Sequence, residues 1–535
     1  MSDTAQAERF GAREGAAARA WAAAHWFPLG VAAVAGATAA FLLQQLLAWP
    51  PHEDEALPLF VGRHPLDDLF QVVLEERGGA PLHFLVAWAI AHLDLGLTSL
   101  RAFSAACAVA SIPVVALLLA RLGGRVPALV ATAVLATSWT FLFHGVYGRM
   151  YSLFLLTSAL SFLALLRALE RRGGRDWTLW ALAILATVAT HPYGALVLAA
   201  QGAYVIVARR ERLREALPAF GAVAVLGIPF WLTDLVLAGR FDAGVAGSGR
   251  LDVLDYVWQA AGDFTAGFPA LPAILVAAAA GLAALPRDTR LLAACAAAVP
   301  LAALVVARST GSPETRHLIF LLPFVALAVA AGLVRLGRIW GTAAVATLVM
   351  AQLAWAWDRT PELFVWEPEA RQEARADAAA YLAATVRPDD VLLGYDPLFL
   401  QAWQQNERFP LVVLPRADAD LALHNLLQLH RPLGHGVWVL DASKTTNVER
   451  SLQIPLVSPR PPAPFEVRDF GPFLIVRTRE PVLTPERYLL RAGQAMLVGK
   501  RLFLGDADVN LPTIERAARA LRGYGAARSL STSSR

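Results

Sequence analysis

An acidic cluster, His52-Glu53-Asp54-Glu55, follows directly on an apolar segment that ends in Pro50-Pro51. Ionised carboxylates at a bilayer edge are costly to hold and mark functional positions. A carboxylate at that height can take the proton from an acceptor hydroxyl. Such a general base contributes roughly 10²–10⁴-fold to rate. Asp54 and Glu55 are the first candidates, against the alternative of a hydrated cluster that caps a helix end. Arg149, in Tyr147-Gly148-Arg149-Met150-Tyr151, and Arg316, in Glu314-Thr315-Arg316-His317, each open an apolar helix. A guanidinium fork matches phosphate oxygens, so both can grip a lipid phosphate. The alternative is an ion pair, Arg316 with Glu314 or Arg149 with a loop acid. His52, His64, His83, His144, His191 and His317 all fall at or near helix ends on one side of the membrane. Histidine with carboxylate can hold a divalent metal, which makes His52, Glu55 and His83 minor metal candidates. No pair has the i, i+4 spacing of a strong site, and a lone interfacial histidine is ordinarily a satisfied polar group.

These residues need a membrane scaffold, and the composition supplies one. Of 535 residues, 56% are hydrophobic, and mean hydropathy is +0.48. Soluble domains are seldom so apolar. Apolar runs at 27–49, 99–120, 127–144, 150–169, 177–191, 194–209, 216–237, 268–285, 291–307, 318–335 and 339–357 predict about 11 spanning helices. Basic loops at Arg121/Arg125, Arg167–Arg175, Arg209–Arg214, Arg287/Arg290 and Arg335/Arg338 then all fall on the cytoplasmic side if the N-terminus is inside. The loops 50–98, 144–149, 191–193, 238–267 and 308–317, with everything after 357, fall outside. Within the first outer loop, 66–76 alternates Leu66, Leu69, Phe70, Val73 and Leu74 with Asp67, Asp68, Gln71, Glu75 and Glu76. That pattern predicts an amphipathic helix lying on the membrane. Residues 81–95 are apolar but short, and are read as interfacial or re-entrant.

Beyond Trp357 the pattern changes. A helix over 371–386 and short apolar runs at 391–393, 411–414 and 437–440 predict an α/β domain closed by a hairpin at 465–468 and 473–477. The expected organisation is a cytoplasmic tail 1–26, a catalytic membrane domain 27–357, an extracytoplasmic α/β domain 358–480 and an Arg-rich extension 481–535. The net charge of +4 excludes a nucleic-acid role, and the basic residues are Arg except Lys444 and Lys500. Cys107 and Cys295 lie in separate apolar helices, so no disulfide or thiolate site is expected.

The acidic pair after the first helix, followed by Ala80-Pro81-Leu82-His83-Phe84, resembles the GT-C superfamily of integral-membrane glycosyltransferases. The likeness is to its family 39-like branch, which includes protein O-mannosyltransferases and aminoarabinose transferases. Leu100-Arg101-Ala102-Phe103-Ser104, Tyr147–Tyr151, Arg316-His317 with Leu321-Leu322-Pro323, and Ala380-Tyr381-Leu382 to Asp389-Asp390-Val391 extend it in order. The resemblance implies a multi-pass plasma-membrane enzyme. Its donor would be a polyprenyl-phosphate-linked sugar, its acceptor a lipid, glycan or protein hydroxyl at the outer face, and transfer would invert the anomeric carbon. It implies Asp54 as base, Glu55 beside it in acceptor or metal binding, and Arg149 and Arg316 at the donor phosphate. His83, Tyr151, His191, His317 and Glu76 are candidate substrate contacts. Two departures stand out. No Asp follows Arg149 within Met150-Tyr151-Ser152-Leu153-Phe154, which leaves Glu75 or Glu76 for any second carboxylate. His replaces Tyr at 83 and 317. The competing classes are a lipid-linked glycan transporter and a non-catalytic envelope-assembly scaffold.

Overall fold

The computed structural model describes residues 25–46, 49, 51–73, 81–171, 173–233, 250–307, 314–394, 396–406, 413–414, 426, 429, 431–441 and 465–492. Glu75 and Glu76 lie outside the described residues, as does most of the C-terminal extension. The protein is a polytopic helical membrane protein with a small C-terminal sheet domain, and it forms two compact units. One comprises 1–48, 79–82 and 100–365; the other comprises 49–78, 83–99 and 366–535.

The first unit is an apolar helix bundle. Six described helices are long and apolar enough to cross a membrane, His25–Leu46, Leu97–Gly123, Tyr151–Arg171, Arg287–Val306, Thr315–Val334 and Arg338–Arg359; two bent pairs raise the number to eight. Gly194–Ala208 is apolar but shorter. The run 127–144, expected as one helix, is bent by 59° between Arg125–Thr137 and Trp139–Val146. Ser138 makes the break: its hydroxyl donates to the Leu135 carbonyl at 2.8 Å and accepts from the Phe141 amide at 3.4 Å. It closes one helix and caps the next. Helices Val253–Phe264 and Phe268–Ala284 meet at 99°. The chain turns there at Gly267, with φ +76°, where a Cβ would lie 2.3 Å from the Trp355 ring.

Tight crossing holds the bundle together. In helix Leu271–Ala284 a Cβ on Gly281 would sit 1.8 Å from the Ala328 carbonyl oxygen. In helix Leu322–Val334 a Cβ on Gly332 would sit 1.9 Å from that of Ala277. Helix backbones approach this closely in lipid only where side chains vanish. Buried polar groups are matched between helices. Trp180 donates to Gln201 at 2.7 Å, and Gln201 donates to Ser161 at 2.8 Å. The basic loops gather at one end of the bundle. Arg121 pairs with Glu170 at 3.0 Å, Arg209 with Asp288 at 2.6 Å, and Thr289 donates to the Leu122 carbonyl at 2.7 Å.

The second unit joins the first loop to the C-terminal domain. Five strands run in the order β2-β1-β3-β5-β4: β1 Val391–Gly394, β2 Val413–Leu414, β3 Gly436–Asp441, β4 Phe465–Asp469 and β5 Phe473–Thr478. β1 is parallel to β2 and β3, and the closing hairpin is antiparallel. Trp438 stacks on Tyr488 at 5.2 Å inside the sheet's apolar cover. Buried Asp390 fixes the start of β1, accepting from the His435 amide at 2.7 Å and the Arg387 amide at 3.0 Å.

The short helix Glu53–Gly62 docks on helix Asp396–Gln405 of that domain. Phe60 stacks on Trp403 at 5.3 Å and 23°, and the Arg63 guanidinium lies 4.4 Å over the same indole. On the other side Gly62 lets the helix meet Pro81–His92, since a Cβ there would be 2.7 Å from the Ala87 carbonyl. The segment expected to lie on the membrane turns part of its apolar face inward: Leu69 and Val73 pack with Val61 and Phe84. Leu66 and Phe70 stay exposed. Truncating a buried tryptophan to alanine typically costs about 3–5 kcal/mol. Trp403→Ala should therefore lower the melting temperature and speed proteolysis within 51–73, whereas Trp403→Phe, which keeps a ring against Phe60, should restore most of both. Unchanged cleavage of 51–73 in Trp403→Ala would show that the stack does not hold this helix.

Candidate active site

The acidic helix begins with a capping box. His52 Nδ1 accepts the Asp54 amide at 3.3 Å, and Glu55 Oε2 accepts the His52 amide at 2.9 Å. Carboxylates in a first helical turn also face the positive end of the helix dipole. The two neighbouring acids are thereby set apart. Glu55 is fully buried and spends an oxygen on the cap, whereas Asp54 is half-buried on the next step of the helix. Capping accounts for the placement of Glu55 and His52. His83 is buried on helix Pro81–His92, edge-on to Phe84. Among the described residues no three His, Cys, Asp or Glu side chains are grouped to hold a metal ion.

In the helix bundle the sequence motifs come together. Ser104 donates its hydroxyl to the Arg149 carbonyl at 3.2 Å, and buried Arg101 reaches the Leu46 carbonyl at 3.5 Å. The Arg149 amide bonds the Tyr147 carbonyl at 2.7 Å, a tight turn between helices Trp139–Val146 and Tyr151–Arg171. Tyr151 is the hub. Ring centroids of His144, His191 and His317 lie 4.5, 5.7 and 5.9 Å from its ring. The Arg316 guanidinium lies 5.1 Å over Tyr151 and 5.9 Å over Tyr147. Tyr193 closes the cluster, 5.4 Å from His191 and 5.2 Å from His317. Arg149, Tyr151, His191, Arg316 and His317 are thus brought into one cluster, at the end of the bundle opposite the basic loops. The anticipated ion pair exists as well, because Arg316 also contacts Glu314, whose side chain is exposed.

Electrostatics fix the state of His191. Burial, then the charges of His317, Arg149 and Arg316, hold it well below the ordinary histidine range. Its Nδ1 accepts the Tyr193 amide at 3.1 Å. A neutral imidazole with an accepting Nδ1 carries its proton on Nε2, so His191 presents an N–H donor there. Burial likewise pushes the Tyr193 hydroxyl up, so it too stays a neutral donor.

Sequence reasoning passed over two residues here. Asp263, buried in helix Arg250–Phe264, accepts the Thr315 hydroxyl at 2.7 Å and lies 3.6 Å from Arg359, so it braces the residue before Arg316. His144 was noted only as one of six histidines at helix ends. Its packing on Tyr151 depends on the bend at Ser138, which hydropathy does not reveal.

Comparison with known proteins agrees with this architecture. The dolichyl-phosphate-mannose-protein mannosyltransferase family matches residues 78–232, a stretch that contains His83, Arg149, Tyr151 and His191. No curated protein matches the chain in sequence. ArnT from Cupriavidus metallidurans bound to undecaprenyl phosphate superposes with a TM-score of 0.55 at 14% identity, over 85% of this chain and 98% of that one. Its apo state gives 0.55 at 15% identity, with the same coverage. The archaeal oligosaccharyltransferase AglB from Archaeoglobus fulgidus gives 0.48 at 11% identity, over 81% and 71%. The chain thus has an ArnT-like fold and, in its N-terminal half, a segment that matches the mannosyltransferase family, and its likeness is to the GT-C membrane glycosyltransferases.

Proposed function

We propose that the protein transfers a sugar from a polyprenyl-phosphate-linked donor to an acceptor hydroxyl, with inversion, at the extracytoplasmic face of the plasma membrane. The observation that carries this reading is the cluster of two guanidiniums and three imidazoles around Tyr151 at one end of an apolar bundle. Cations and N–H donors at the end of membrane helices suit a lipid phosphate. The ArnT to which the fold is similar binds undecaprenyl phosphate.

In the proposed reaction Asp54 takes the proton of the acceptor hydroxyl. The acceptor oxygen attacks the anomeric carbon from the face opposite the phosphate. The carbon–oxygen bond to phosphate breaks, and its electron pair stays on the phosphate oxygen. Arg149 and Arg316 stabilise the charge that develops there. One preorganised donor of this kind is typically worth about 2.7–4 kcal/mol. Glu55 serves by holding the start of the helix that carries Asp54. Tyr151, His191 and His317 line the phosphate side, and His83 is a candidate acceptor contact. No nucleotide-sugar domain is needed for a lipid-linked donor, and the short basic loops have no room for one.

Asp54→Asn is nearly isosteric and should cut transfer by at least about 100-fold, as for loss of a general base, without lowering expression or melting temperature. A scaffold or transporter would tolerate it, so near-wild-type turnover would refute the assignment of the base. Glu55→Gln keeps an acceptor oxygen for the cap and should hurt far less. Arg149→Lys and Arg316→Ala should each raise the donor KM by about 10-fold or more, because a charged hydrogen bond is worth roughly 1.5–3 kcal/mol. Equal tolerance of alanine at both would reduce them to surface pairs worth about 0–1 kcal/mol. Purified protein should use a polyprenyl phosphate sugar and ignore the matching nucleotide sugar. Efficient transfer from a nucleotide sugar in membranes free of polyprenyl phosphate would overturn the proposal.

A further inference from the structure

The arginines do not use up the chemistry around Tyr151. His144 is almost wholly buried, and neither of its ring nitrogens has a hydrogen-bond partner among the described residues; the same holds for His317 Nδ1. The His144 ring is held by contacts alone. It lies 4.5 Å from Tyr151, 5.8 Å from Tyr147 and 4.9 Å from Phe143, while its carbonyl accepts the Ser152 hydroxyl at 2.6 Å. Buried polar side chains ordinarily find partners, so an imidazole with both nitrogens unmatched points to a ligand. The rings of His191 and His317 are 5.2 Å apart, close enough for one ligand to touch both.

Neighbouring groups say which ligand. Arg149 and Arg316 act on His191 together with His317, and Arg316 also acts on His144. Tyr147, Tyr151 and Tyr193 supply hydroxyls; Tyr256 lies beyond Tyr193. The acids at this end are already engaged: Glu314 contacts Arg316 from its exposed side, and Asp263 bonds Thr315. Such a set favours an anion of more than one charge.

We propose that the His144–His191–His317 cluster binds the phosphate monoester released by transfer, and takes up a proton from solvent as that group forms or arrives. This rests on the donor reading above and extends it. The donor is a phosphodiester with one negative charge. When its bond to the sugar breaks, the electron pair leaves a monoester, whose second ionisation lies near pH 6. The acceptor's proton departs through Asp54. An imidazole that gains a proton has two N–H donors and matches the second charge. The arriving dianion offsets the charge of Arg149 and Arg316 at the rings, so an imidazole there can take the proton and pair with the second charge. Lipid phosphate and free phosphate share this chemistry.

Calorimetric titration of the detergent-purified full chain at pH 7 tests the proposal, run in two buffers of different ionisation enthalpy. With farnesyl phosphate the expected result is uptake of about 0.5–1 proton per molecule bound, read as a buffer-dependent heat. Inorganic phosphate should bind more weakly and with a smaller net uptake, because the fraction that is singly charged at pH 7 sheds its own proton on binding, which separates the headgroup from the lipid tail; farnesol should show no uptake. His144→Gln keeps hydrogen-bonding capacity but cannot be protonated. It should weaken farnesyl phosphate binding by about 10-fold and at least halve the uptake, since hydrogen bonds to charged groups are the strong ones. His317→Gln is the second variant should the first fail to fold. Tight binding of farnesyl phosphate with no proton uptake would overturn this inference while leaving the donor reading intact, as would undiminished uptake in both variants. Failure of the wild type to bind any phosphate monoester would overturn both.

Discussion

A guanidinium lodged among aromatic rings at the end of an apolar bundle sets the terms for everything around it. Arg316 stacks over Tyr151 and Tyr147 and meets Glu314 only on its exposed side. Removing charge from water is expensive, and partners must repay the cost. The protein repays it in part with ring faces, whose negative quadrupoles attract cations. A neighbouring titratable group also stays uncharged, because burial first, and then His317, Arg149 and Arg316, hold His191 neutral. Under the proposed donor reading, groups arranged in this way would be in place before the phosphate arrives, so little reorganisation would be left for the moment of bond breaking.

The acidic helix obeys a different constraint. Its first turn must satisfy its own amides, and the His52/Glu55 box does so. Its far end is fixed by residues some 340 positions away, through Phe60 and Arg63 on Trp403. The small sheet domain thus acts as a mount for that helix. Cation–π and stacking contacts are suited to this, since a flat indole tolerates small shifts while still fixing the approach direction.

Much of this was legible in the sequence. Hydropathy located apolar helices, of which six, or eight with the bent pairs, are long and apolar enough to span where about 11 were expected, and the loops of Arg121, Arg209 and Asp288 do gather at one end of the bundle. The strands fell at or within a residue or two of their expected runs: Val391–Gly394 and Phe473–Thr478 follow apolar stretches bounded by turn residues. Motif order singled out Arg149 and Arg316, and the ion pair expected for Arg316 is present, since it contacts Glu314 as well as the Tyr151 ring. The rest depended on tertiary contacts with no local signature. The 99° turn at Gly267 exists because Trp355 occupies the space beside it. Ser138 reads as an ordinary helical residue until its hydroxyl caps the second helix. Trp403 lies in a soluble helix, where an apolar residue is expected to face the sheet, and nothing local shows that it faces a loop from the start of the chain.

One residue type, arginine, is used in two ways at opposite ends of the same helices. At the basic end four guanidiniums have an acid at contact distance among the described residues: Arg121 with Glu170, Arg167 with Asp176, Arg209 with Asp288, Arg212 with Glu215. Most of these pairs are well exposed, and such pairs contribute about 0–1 kcal/mol each. They orient and solubilise that end. At the other end Arg316 packs on aromatic faces, and Arg359 lies 5.1 Å over Trp139 with Asp263 at 3.6 Å. A charge count along the chain treats these arginines as equivalent. What separates them is whether solvent or aromatic rings surround the fork. In solvent, hydration balances much of a guanidinium's charge, whereas at the other end ring faces share that work with an acid. Chemistry is therefore expected at the end where the rings are.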